Sequence, residues 1–114
     1  MTDNHTVSMH HIIEEALTTP GDTEPALRRA IEAYVVELAS HPAARAGDIP
    51  TELEPYVKKV ALHAYKVTDE DIEALKKAGY SEEALFEITM SAALGAGRAR
   101  LQRGLAALKG DGES

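Results

Sequence analysis

Cysteine is absent from the 114 residues, which removes thiolate nucleophiles, disulfides and thiolate metal ligands together. Proton chemistry near neutrality then falls to imidazole. His63, two residues before Tyr65 near the end of a predicted helix, is the best-placed histidine for a general acid or base. Glu52 and Glu54 could serve beside it as catalytic carboxylates. Tyr65 and Arg98 could bind a ligand, the guanidinium by pairing with an anionic group. His63 also reads as a hydrogen-bonded residue at a helix end, with no chemistry attached.

Other constellations carry a second reading as well. His10 and His11 precede Glu14 and Glu15 at helical i,i+4 spacing, but a metal would need further ligands from His5, His41 or His63. A solvated amphipathic face explains the same spacing, and no metal or other cofactor is expected. Glu70, Asp71 and Glu73 form an acidic helix start before they form a cation site. Arg98, Arg100 and Arg103 could hold an anion or make salt bridges to a partner subunit. Phosphate-binding loops, dinucleotide fingerprints, nucleophile elbows and zinc-protease helices are all missing.

Composition limits the partners. A net charge of −7 repels phosphate backbones, so nucleic acid is not expected. No apolar run approaches the roughly 20 residues of a membrane span, and Met1-Thr2-Asp3-Asn4 opens no basic signal-peptide region, so a soluble cytoplasmic protein is expected. Glu, Lys, Arg, Ala and Leu dominate, which favours an all-α fold in one domain over residues 1–114. Aromatics make up only 4% of the chain, so aliphatic side chains must fill the core.

About five helices must position these groups. Residues 1–7 and 109–114 read as frayed ends, and Ser8 as the cap of a short helix that Thr18-Thr19-Pro20-Gly21 ends. Asp22 or Thr23 can cap a second helix, with Pro25 in its first turn, running to about Ser40. Its apolar positions from Ala26 to Leu38 recur at three- and four-residue spacing. After a loop from His41 to Pro50, Thr51 and Glu54 fit a capping box for a helix to about Tyr65, with Leu53, Val57, Val60, Ala61 and Ala64 inward. Thr68 caps a short helix that Gly79 ends, and Ser81 caps one that can reach Leu108, about 40 Å at helical rise. Ala92, Ala93, Gly95, Ala96, Gly97 and Ala99 have almost no side-chain volume, and Gly95 and Gly97 each cost about 1 kcal/mol in a helix interior. Close approach of a second helix would offset that cost. The second helix can belong to the same core, to another subunit or to one wall of a narrow ligand slot, and a kink near 95–97 is a further option.

The stretch Thr68-Asp69-Glu70-Asp71, Leu75, Ala78-Gly79-Tyr80, Ser81-Glu82-Glu83, Leu85 and Glu87, followed by the small-residue helix, resembles the alkylhydroperoxidase D-like superfamily, which includes the carboxymuconolactone decarboxylases. The resemblance covers roughly residues 51–108. It implies an all-α domain built on a helix pair and assembled into symmetric oligomers, and in peroxidase members a C-x-x-C-x-x-x-H motif. Aligned on Gly79, the two cysteine positions fall on Ala64 and Val67 and the histidine position on Asp71. Alternatively, residues 51–108 correspond to the cysteine-free second half of two-part members. Thiol peroxidase chemistry is excluded in either register. The resemblance leaves a carboxymuconolactone decarboxylase-like lyase on a small anionic acid, using His63. It also leaves a non-redox binding or assembly module, a homo-oligomer sealed partly by the Ala/Gly face of the last helix.

Overall fold

A computed structural model describes residues 3–109, with side chains from residue 11 onward. The five helices are α1 (Asp3–Thr18), α2 (Pro25–Ser40), α3 (Glu54–His63), α4 (Asp69–Lys77) and α5 (Glu82–Leu108), with one 3₁₀ turn at Ala64–Lys66. The fold is all-α, without a strand among the described residues. No helix there is long and apolar enough to cross a membrane.

Helix α5 is the spine: it packs mainly against α2, then against α3. The periodic positions of α2 do what their spacing demands. Ile31, Tyr34, Val35 and Leu38 are buried against Leu85, Ile88 and Ala92 of α5 and Leu53 and Val57 near the start of α3. Ala26 and Ala64 lie in solvent instead, at the outer edges of their stripes.

Helix ends divide into those set by local chemistry and those set by packing. Thr68 and Asp71 form a capping box, Ser81 Oγ accepts from the Ala84 N–H, and Gly79 sits at φ +110, where a side chain would be strained. Elsewhere the expected caps do other work. Helix α1 opens at Asp3, ahead of Ser8. Helix α2 begins after Glu24, whose side chain makes no cap, because Asp22 and Thr23 turn toward α5. No capping box forms at Thr51. Residues 51–53 are a turn, α3 starts at Glu54, and the Glu54 carboxylate accepts from Tyr34. Helix α3 also stops at His63, two residues short of Tyr65. The expectation of frayed ends falls in part on residues 1, 2 and 110–114, which lie outside the described residues.

The small-residue stretch of α5 is continuous helix, without a break at 95–97. Gly95 faces inward, where a Cβ would come within 2.8 Å of the Glu32 carbonyl and 2.9 Å of Val35 Cβ. The crossing with α2 inside this chain explains that glycine. It does not explain Gly97 or Gly104, whose Cβ positions meet nothing within 4 Å among the described residues.

Candidate functional site

The loop before α3, the start of α3 and helix α4 form an open cavity of about 160 Å³, lined by Glu52, Pro55, Tyr56, Lys59, Asp71, Ala74 and Leu75. Asp71 is fixed from two sides. Its Oδ2 accepts from the Thr68 N–H at 2.9 Å, as the capping box requires, and from Lys59 Nζ at 2.9 Å. Glu52 accepts from the Tyr80 hydroxyl at 2.7 Å, and the Tyr56 hydroxyl meets that of Thr89 at 2.6 Å.

These partners push Asp71, Glu52 and Tyr80 away from neutrality. The Lys59 hydrogen bond and then the Thr68 N–H hold Asp71 below the usual carboxylate range. The Tyr80 hydrogen bond lowers Glu52. Tyr80 itself is pushed up to about 12, by burial first and then by Glu52. A general acid or base works best when its pKa lies near the operating pH, and none of these three does. The cavity can orient a polar ligand, but its own groups are poorly suited to proton transfer.

The residues expected to form a site are dispersed. Glu54 accepts from Tyr34 at 3.1 Å and lines a separate cavity of about 470 Å³ with Arg45, Thr51 and Lys58. His63 is exposed, with the Tyr65 ring edge-on at 6.1 Å between centroids, and Tyr65 is 80% exposed. Arg98 faces α2, where its Nε lies 2.7 Å from Glu32 Oε2. Thus Glu52, Glu54, Tyr65 and Arg98 each pair with a different residue, and His63 meets only Tyr65 among the five. Of the two helical His/Glu pairs, His11 and Glu15 stand 4.0 Å apart in solvent, while the His10 side chain lies outside the described residues. Among the described residues no group of three or more His, Asp or Glu side chains is arranged to hold a metal.

Two features escaped the sequence reading. The first is a buried polar cluster: Glu87, 5% exposed, accepts from the Asp22 N–H at 2.9 Å and from the Thr23 N–H and hydroxyl at 2.8 and 2.6 Å. Arg28, 2% exposed, donates to the carbonyls of Ala16 and Thr23 and ties the α1–α2 loop to the same place. A Cβ on Gly21 would overlap the Glu87 carboxylate. The available signal was a glutamate flanked by Ala84, Ile88 and Ser91 on the inward face of α5. The second is a groove of about 400 Å³ lined by Leu38, Ala61, Leu62 and Ala99 together with Arg100 and Arg103, whose ability to hold an anion the sequence did suggest. Neither arginine has an ion pair or hydrogen bond among the described residues.

Comparison with protein families, with curated proteins and with solved structures finds no match to this chain.

Proposed function

We propose that this chain is a cysteine-free protein of the alkylhydroperoxidase D-like and carboxymuconolactone decarboxylase-like kind, acting as a non-redox binding or assembly module. The observation that carries this reading is the Arg98–Glu32 pair. A lyase acting on a small anionic acid needs a cation free to hold the substrate beside its acid or base. Here the candidate cation is bound to a buried carboxylate on α2, while the candidate base stands in solvent on α3. The Thr68 to Glu87 string and the absence of thiol support the rest of the reading. A small anionic ligand finds its best counter-charges at Arg100 and Arg103, beside an apolar groove.

The test pairs activity with mass. The purified full chain should reduce no hydroperoxide in the presence of a dithiol and should decarboxylate no small lactone acid. Light scattering should give a particle heavier than the 12.3 kDa chain. Decarboxylation that disappears in His63→Ala would overturn the module reading and establish the lyase.

A further inference from the structure

Helix α5 is apolar on two opposite sides, whereas a surface helix ordinarily has one apolar stripe. The inward side is the core described above. The outward side is a straight line of Phe86, Met90, Ala93, Gly97, Leu101, Gly104 and Leu108, without a charge and about 33 Å long at helical rise. Phe86 is 60% exposed and Leu108 80% exposed; Ala93, Gly97 and Gly104 are exposed, and Met90 and Leu101 half-buried. Among the described residues nothing fills the space outside Gly97 or Gly104.

The order of these residues identifies what fits. They are separated by four, three, four, four, three and four positions, a spacing that reads the same from either end and is centred on Gly97. Reversing the line against itself sets Phe86 opposite Leu108, Met90 opposite Gly104 and Leu101 opposite Ala93, with Gly97 opposite its own copy. At the two inner pairs a large side chain faces a small one, and at the centre neither helix has a side chain to separate the backbones. A repeat of four, three and four is an 11-residue period, which keeps such a line in register on nearly straight helices.

Charge selects the same arrangement. Glu82 and Glu83 occupy the first turn of α5, and Lys109 is its C-cap. Antiparallel pairing about Gly97 sets Lys109 of one copy opposite Leu85 of the other, two residues or about 3 Å of helical rise from the level of Glu83, and opposes the two macrodipoles; parallel pairing would stack like charges.

We infer that the outward face of α5 binds the same face of a second copy of this chain, antiparallel, about a twofold axis passing beside Gly97. The interface is isologous, so it closes at two copies. The inference rests on the assembly reading above and names its surface.

Because the chain has no cysteine, single thiols can report the register. In the full-length protein, light scattering should give twice the 12.3 kDa chain mass. Under copper–phenanthroline oxidation, Gly97→Cys should cross-link to itself, since a disulfide needs Cβ atoms about 4 Å apart. Gly104→Cys should not cross-link alone, but should do so when mixed with Met90→Cys. Gly97→Glu, placed where its Cβ meets nothing within 4 Å among the described residues, should keep the helical circular dichroism and weaken association by about a hundredfold or more, because like charges meet at the axis. Self-cross-linking of Gly104→Cys as fast as Gly97→Cys would overturn the antiparallel register. An oligomer indifferent to Gly97→Glu would overturn this interface and leave the assembly reading standing. A wild-type monomer at high concentration would leave the stripe to a different chain and overturn both.

Discussion

Arg98 Nε lies 2.7 Å from Glu32 Oε2, joining α5 to α2 at a point where Glu32 is only 4% exposed. Removing one partner from a buried ion pair leaves the other charge desolvated, and typical losses are about 3–5 kcal/mol. Arg98 reaches partly into solvent, so Arg98→Ala should fall at the low end, about 3 kcal/mol, in urea denaturation followed by circular dichroism. A loss below about 0.5 kcal/mol would mean that the pair behaves as an exposed one.

Gly95→Ala tests the crossing beneath that pair. Alanine favours helix by about 1 kcal/mol over glycine, yet the added methyl would sit 2.8 Å from the Glu32 carbonyl oxygen, a backbone atom that cannot rotate aside. Overpacking of this kind costs about 1–3 kcal/mol, so the net change should be a lower melting temperature. A rise would show that α2 and α5 separate easily here.

Glu87 supplies the acid limit of the fold. Burial alone would raise its pKa, but the Thr23 hydroxyl, the N–H groups of Asp22 and Thr23, and the Arg28 charge together bring it below the ordinary value of 4.5. The resulting stabilisation is present above about pH 4.5 and is lost as pH falls through the lower folded value. Glu87→Gln should therefore destabilise the protein at pH 7 by about 1–3 kcal/mol and flatten the dependence of stability on pH in the acid range. Equal slopes for the two proteins would place the acid limit elsewhere.

Two tyrosines should set an alkaline limit. Burial, then the hydrogen bond and charge of Glu54, push Tyr34 up to about 12, and burial with Glu52 does the same for Tyr80. Both groups have folded values above the ordinary 10.0, so their contribution is complete below pH 10 and disappears as pH rises through about 12. An ultraviolet titration should show Tyr34 and Tyr80 ionising late, and Glu52→Gln should bring Tyr80 earlier. Ionisation of Tyr34 and Tyr80 near pH 10 would contradict both hydrogen bonds.

Much of the fold was legible because its signals are local. Thr68 with Asp71, Gly79 and Ser81 act within a few residues of themselves, and the apolar period of α2 needs only a helix to become a buried stripe. The same logic failed at Thr51 and at Asp22 and Thr23, whose neighbourhoods in space contain Tyr34 with Glu54, and Glu87, respectively. A cap adds about 1 kcal/mol, and a competing buried contact can outweigh it.

The candidate site shows the same division. From its residues alone, the chain determined that it is helical, that it lacks thiol chemistry, and that Ser81 caps a last helix able to reach Leu108; the structure decided that this helix runs without a break at 95–97. Tertiary structure decided that Arg98 belongs to Glu32, that His63 stands in solvent, that Gly95 faces the core and that Gly97 faces outward. Composition and capping act along the chain and can be read there. The partner of a charge, or the side on which a glycine falls, depends on which helix lies across from it, and that is set only when α2, α3 and α5 pack.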